Sequence, residues 1–584
     1  MPNQKKKAFS RAPGLFSFAF LLFSCASVPE AKSKIVLACP PEVAKDMKVL
    51  LSSFSSAYPD LQVETKVYED DVLAYLLRHD ALDADLIAFS DLLNVYRVDG
   101  KLYDFRNTDP LSRFNTYCSA FLSDETGAVN CLPSPGSVFS YVVNEDLLAS
   151  KNLETPKTVY DLSTLAKNFA SSNYSSFASS WEKERLPLDI FMQSCLPSYF
   201  ASTQGNEAFN SFFFGTEPLA SSPSLSSLLS FVNEFSKLYT HGFADSSLTA
   251  QAGEDAFLSG QAALLSLPPR ADLIDEFSAR APSFSWSVHP YLGSTAMDSL
   301  IPATCDFYLC ASKSSMADLE LRPNLWKFLD FFSTSDGQLC LAQKESGKVP
   351  FYVFSHLKNA TFNLVDGYDA LNKAFRSGRI YLVDKFVGPF SQCLTSLTKL
   401  SQEEVSSYGF VSSLDQEMSS IREKAKTEYS CASLMGEGGL NSRYEASQRV
   451  ADLIRADLKA DALALPSSFL KQEIVDETLL EDDMKAVFDQ TCSLLPAWVN
   501  GSELIELLSS LSEARGLGVS LSGVKRSGET FVLESGSPIK ESASYFLYLP
   551  SSALEGSALP QYIQGSPVLA FDEICKISKK GETR

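Results

Sequence analysis

The chain has 584 residues, 45% hydrophobic and 21% charged, enough for about three or four domain-sized units with ordinary globular cores. Its formal net charge of −21 argues against nucleic acid and anionic lipid headgroups as partners, because both would be repelled. The four histidines (His79, His241, His289, His356) are scattered and no Cys-x-x-Cys pair occurs, so neither a metal site nor a cofactor is implied.

Lys5, Lys6, Lys7 and Arg11 give a basic start, Leu15 to Phe23 is an apolar run, and Ser24-Cys25 follows. That order is a secretory signal, and the run falls short of the roughly 20 apolar residues that span a bilayer. Leu22-Phe23-Ser24-Cys25 resembles the cleavage box of a bacterial lipoprotein. The resemblance implies that residues 1–24 are removed, that Cys25 carries the lipid and that 25–33 is a tether. The rest would then work outside the cytoplasm, anchored to a membrane surface.

Past the tether, Lys34 to Cys39 reads as a short strand. Over Glu42 to Tyr58, Val43, Met47, Val49, Leu50, Leu51 and Phe54 recur near helical spacing, and Pro59-Asp60 ends the run. Leu61 to Val67 alternates like a strand, Asp70 to Arg78 is helical, and Asp85 to Phe89 is a third strand ending at Ser90-Asp91. Strands alternating with helices predict parallel βαβ units of α/β class, with ligands at the carboxyl ends of the strands.

These elements, with Gly100-Lys-Leu-Tyr-Asp-Phe, resemble the first lobe of an extracellular solute-binding protein of an ABC importer. Further landmarks are Tyr141-Val-Val-Asn144, Thr155-Pro156, Asp255-Ala-Phe-Leu-Ser-Gly260, Ala311-Ser-Lys313 and Gly347-Lys-Val-Pro350. The resemblance covers 34–400 and implies a two-lobed α/β domain that takes a small-molecule solute to an ABC permease. The stretch Ile301 to Lys313 is also similar to thiaminase I, an enzyme on a related fold. That enzyme has a nucleophilic cysteine just after a Leu-Pro segment, whereas here Leu132-Pro133 is followed by Ser134 and Cys131 precedes it. No acid occupies the stretch Leu265 to Arg270, so neither nucleophile nor base is visible and a binder is expected.

Eleven cysteines remain once Cys25 is set aside, so at least one is unpaired. Cys118 and Cys131 flank a short polar loop and are candidates for a bridge. Cys305 and Cys310 lie in one apolar strand-like run, where they face opposite sides.

The composition changes at Ser401, and 401–428 reads as a charged linker with an amphipathic helix. From Tyr429 to Tyr562 the order of Arg443 to Ser447, Val450 to Asp457, Val499-Asn-Gly501, Gly523 and Tyr545 to Pro550 resembles the C-terminal domain of 5′-nucleotidases. The resemblance implies a second α/β unit over 429–584. The metallophosphatase half of those enzymes is absent, and without its ligands two-metal hydrolysis has no basis. The family's base-stacking element falls at Asp489-Gln490-Thr491-Cys492, and its arginine falls at Lys471, which cannot make the same bidentate contact.

Solute sites combine aromatic platforms with a few placed polar groups. Asp91 and Asp306 stand at ends of apolar runs, where a carboxylate binds a ligand or caps the next helix. Trp181 in a polar stretch suits stacking on a ring, Tyr141 lines the crossover or packs, and Arg270 after Pro268-Pro269 suits an anionic group or an ion pair. The expected function is solute capture without chemistry. A thiaminase-like or nucleotidase-like enzyme and a surface scaffold are the alternatives.

Overall fold

A computed structural model describes residues 33–580 apart from 99, 139, 171, 181–198, 201, 241–243, 246–249, 268–278, 281, 291–300, 343–347, 350–379, 387–395, 397–398, 401–403, 436–442, 514–517 and 555–562. Cys25, Trp181 and Arg270 lie outside the described residues.

The first helix shows how the sequence builds the first lobe. In α1 (Pro41–Ala57) Pro41 sits in the first turn, where its missing N–H costs nothing, and Val43, Met47, Leu50 and Phe54 form the buried stripe. The helix stops at Tyr58, before Pro59. That stripe packs on β1 (Ser33–Cys39), which pairs in parallel with β2 (Leu61–Val67) and β3 (Leu86–Phe89). α1 and α2 (Asp70–Arg78) form the two crossovers, and α3 (Leu92–Arg97) follows β3. The predicted parallel βαβ units are therefore present. β4 (Leu132–Pro133) and β12 (Tyr308–Ala311) finish the sheet in the order β2-β1-β3-β12-β4, with β12 antiparallel to both neighbours.

The second lobe is a five-stranded mixed sheet in the order β10-β6-β9-β7-β8. Its members are β6 (Ser140–Asn144), β7 (Ser175–Ser180), β8 (Ala244–Asp245), β9 (Ala262–Leu267) and β10 (Trp286–Pro290). Between the lobes lies a four-stranded sheet in the order β13-β5-β11-β14, made of β5 (Gly136–Val138), β11 (Ile301–Cys305), β13 (Lys348–Val349) and β14 (Ile380–Leu382). β5 follows β4 and β11 precedes β12, so the chain passes between lobes through this sheet twice among the described residues.

Helix Ser407–Ala425, in the charged stretch read as a linker, buries Phe410, Val411, Leu414 and Met418 in the same continuous core as both lobes. The C-terminal unit carries a sheet in the order β19-β16-β22-β18-β23: β16 (Ala462–Pro466), β18 (Ser493–Asn500), β19 (Val519–Ser522), β22 (Ser544–Pro550) and β23 (Val568–Leu569). Two antiparallel pairs accompany it: β15 (Glu428–Ser430) with β17 (Thr478–Leu480), and β20 (Val524–Ser527) with β21 (Thr530–Leu533).

This unit docks on α2. Val72, Tyr75 and Leu76 are buried among C-terminal residues such as Leu479, Met484 and Val487. The Tyr75 hydroxyl donates to the Glu473 carbonyl at 3.1 Å and accepts from the Val475 N–H at 2.8 Å. Arg78 pairs with the buried Asp483, Arg97 with Asp482 at 3.3 Å and Lys471 with Asp71 at 3.1 Å. His79 sits between Asp476 and Asp483 at 3.4 and 3.6 Å.

Two sequence expectations need correction. Cys118 and Cys131 are both buried free thiols, so the loop between them is not stapled. The run holding Cys305 and Cys310 is two strands broken at Asp306-Phe307, where the chain leaves the hinge sheet for lobe 1, and both thiols are free and buried.

Candidate functional site

The site grows from the close approach of β5 and β11. An added Cβ at Gly136 would lie 1.7 Å from the Thr304 carbonyl oxygen, so no other residue fits there without parting the strands. Ser134 closes the turn: its N–H donates to the Phe307 carbonyl at 3.0 Å, and its hydroxyl accepts from the Phe307 N–H at 2.9 Å. Asp306, half-buried, donates its N–H to the Pro135 carbonyl at 3.2 Å. This places the residue where the chain passes from β11 of the sheet between the lobes to β12 of lobe 1.

Beside it stands a residue that the sequence reading missed. Asp384, just beyond β14, accepts from the Cys305 N–H at 3.2 Å. Protein encloses its carboxylate, while the residue as a whole is half-buried. Burial pushes its pKa up from 3.8 to about 7, and the Asp91 charge adds to the shift. The Tyr308 hydroxyl lies against Asp384 but reaches no partner at full hydrogen-bond geometry.

Lys385 follows, fully buried. Its ammonium donates to the carbonyls of Phe121 (3.2 Å) and Ser123 (2.8 Å) and to the Asn210 side chain (2.9 Å). The rings of Tyr96, Phe214, Phe213 and Phe121 surround it at 4.9, 4.9, 5.5 and 5.7 Å. Burial lowers its pKa from 10.5 to about 7. The signal was present in the sequence: Ile380-Tyr-Leu-Val ends in Asp384-Lys385, an apolar strand closed by charge, the same pattern that singled out Asp91.

Asp91 lies at the carboxyl end of β3, exposed. Its carboxylate accepts the Leu93 N–H at 2.8 Å and caps α3. Its own N–H is held by Asp70, whose carboxylate also accepts from Ser90 and Asn94. Burial nonetheless raises the Asp70 pKa. Tyr141 is buried in β6, donates its hydroxyl to the Pro156 carbonyl at 3.0 Å and stacks on His289 with ring centres 5.5 Å apart. The structure therefore gathers Asp306 and Asp384 at the sheet between the lobes with Asp91 in electrostatic reach, while Tyr141 of β6 packs beside His289 of β10.

Two arrangements that suggest chemistry do not carry it. Ser287, His289 and Glu145 cluster, but the serine and the glutamate both meet His289 Nε2, so no relay from acid through base to nucleophile exists. Burial lowers the His289 pKa further. Cys131, adjacent to the Leu-Pro segment, is enclosed, and burial pushes its thiol up, away from the thiolate a nucleophile needs. Among the described residues no group of three His, Cys, Asp or Glu side chains is placed to hold a metal ion. No described helix is long and apolar enough to cross a membrane.

No family model and no curated protein sequence matches the chain. Solved structures do. A family 1 extracellular solute-binding protein from Bifidobacterium longum subsp. infantis is 16% identical, with a TM-score of 0.54, covering 67% of this chain and 100% of its own. The binding protein MsmE from Bacillus subtilis subsp. subtilis str. 168, in an open conformation, is 14% identical with a TM-score of 0.51 over 68% of this chain and 99% of its own. The apo form of RafE from Streptococcus pneumoniae is 13% identical with a TM-score of 0.50 over 68% and 99%. The chain thus has the two-lobed fold of solute-binding proteins, and these neighbours are binding proteins rather than enzymes.

Proposed function

We propose that this is a lipid-anchored extracytoplasmic binding protein that captures a small solute, a sugar or a thiamine-like ring compound, between its lobes for an ABC permease. The observation that carries the reading is the sheet between the lobes: two chain passages, a glycine contact with no spare room, and the two acidic residues Asp306 and Asp384 beside it. Asp306 and Asp384 supply acceptors from the hinge, and Asp91 supplies one from lobe 1. Trp181 provides the stacking platform and Arg270 a cationic contact, while Tyr141 braces the lobe 2 wall. Closure of the lobes about the hinge sheet then shuts the solute in.

A screen of sugars, thiamine and nucleosides by thermal shift tests this, because a ligand of the native state raises the melting temperature. For the solute that stabilises the protein, Asp306→Ala and Trp181→Ala should each weaken binding by roughly fivefold to a hundredfold, the worth of one lost polar or stacking contact. Unchanged affinity in both variants would remove these residues from the site. No stabilisation by any compound would favour a scaffold.

The anchor is Cys25, from the basic, apolar, small-residue order of the leader. Cys25→Ala is expected to move the protein out of the membrane fraction and change its gel mobility. Retention with the same mobility contradicts lipidation. The C-terminal unit is read as a 5′-nucleotidase-type C-terminal domain without hydrolytic function. In support, Lys471, standing where that family has its arginine, is committed to Asp71 of lobe 1.

A further inference from the structure

We propose a second ligand site, on lobe 1 away from the hinge, that takes a neutral saccharide ring. Three elements converge on a cavity of about 520 Å3: the end of α1, the loop before helix Asp109–Ser112, and helix Arg322–Phe332. The volume lies within the usual range for small-molecule pockets. Its apolar surface comes from Tyr58 and Trp326 with Pro110 and Pro323, and its polar rim from Asn107, Thr108, Asp109, Lys327 and Asp330. None of these residues belongs to the hinge sheet.

The lining selects the ligand class. Aromatic and proline faces suit the C–H surface of a pyranose, and planar carboxylate and amide groups suit its hydroxyls. Trp326 is held edge-on against Tyr103 with ring centres 5.8 Å apart, so the platform is fixed before any ligand arrives. Charge selects against ions. The Asp330 carboxylate is held by Arg113 at 2.6 Å, and Lys327 faces the same space as Asp109. The cationic and anionic groups balance, so phosphorylated or strongly cationic ligands gain nothing here. Asn107 stands in the left-handed region, φ 59°, a conformation its short side chain tolerates, and this puts an exposed amide on the rim.

The test uses the full chain labelled with fluorotryptophan, which carries four indoles. Trp326→Phe assigns the Trp326 resonance. Titration with maltotriose, cellotriose and chitotriose to millimolar concentration is expected to shift that resonance saturably with at least one sugar. Asp109→Ala, an exposed change outside the core, should weaken that response about tenfold. The shift should persist in Asp306→Ala, which disables only the hinge crevice, so the two sites fail independently. No saturable shift with any of the three sugars overturns the proposal. So does full affinity in Asp109→Ala, and so does loss of the Trp326 response in Asp306→Ala, which would mark it as an echo of lobe movement.

Discussion

Asp483→Ala is expected to destabilise the protein by about 3–5 kcal/mol, the cost of leaving a buried charge without its partner. Asp483 is 2% exposed and accepts from Arg78 and the Leu480 N–H, with His79 beside it. Removing it strands the Arg78 guanidinium against the C-terminal core. Burial alone would raise the Asp483 pKa, but His79 and Arg78 outweigh it, and the net shift is downward from 3.8. A carboxylate lowered in the folded state stabilises fully above its unfolded pKa near 4 and loses that contribution as pH falls through the folded value. The deficit of the variant, measured by urea unfolding, should therefore shrink below about pH 4. Adding Arg78→Met should restore much of the loss, because an apolar pair replaces an orphaned ion. A loss under about 1 kcal/mol would mean that solvent already screens the pair.

Asp384→Asn is expected to act in the opposite sense. The wild-type carboxyl is raised to about 7 by burial, so the folded state holds a proton that the unfolded chain releases near pH 4. Its stabilisation is complete below about pH 4 and is lost as pH rises through 7, a decline of up to roughly 4 kcal/mol. Asparagine does not titrate. Across that window the variant should lose less stability than wild type, and it should exceed wild type at pH 7 and just above. Lys385, lowered to about 7, changes stability only at higher pH, where its release restores it, and Asp70 and His289 are common to both proteins, so the difference between variant and wild type from pH 4 to 7 isolates Asp384. Equal slopes in both proteins would place Asp384 in open solvent. The same variant should bind the crevice solute more weakly, which separates a ligand-facing carboxylate from a structural one.

Local periodicity made the first lobe legible. Val43, Met47, Leu50 and Phe54 announce α1, and Leu61 to Val67 announces β2, because each element buries one face and its apolar spacing records that face. The docked C-terminal unit was less apparent, yet α2 carried its mark. Val72 to Leu77 are six consecutive buried residues, and a helix apolar on every side is covered on every side. Asp306 reads as lying near the end of an apolar run, but that the run splits there between two sheets is not legible, because the boundary lies in hydrogen bonds to Ser134 and Pro135 from another part of the chain. Asp384 carried a local mark, an apolar strand closed by charge, but its burial against Cys305 and Tyr308, more than seventy residues upstream, comes only from the folded chain.

The joint at α2 also gives the molecule a handle. Tyr75, Arg78 and Asp483 tie the C-terminal unit to lobe 1, so the two travel as a single frame. The exposed turn Gly528-Glu529 projects from that frame, in a hairpin that shares no residue with either lobe. A dye or a surface attached there would hold lobe 1 still and leave the crevice unloaded. Any swing of lobe 2 about Gly136 could then be read as a distance change between that turn and a second dye on helix Leu225–Thr240, making this chain its own goniometer.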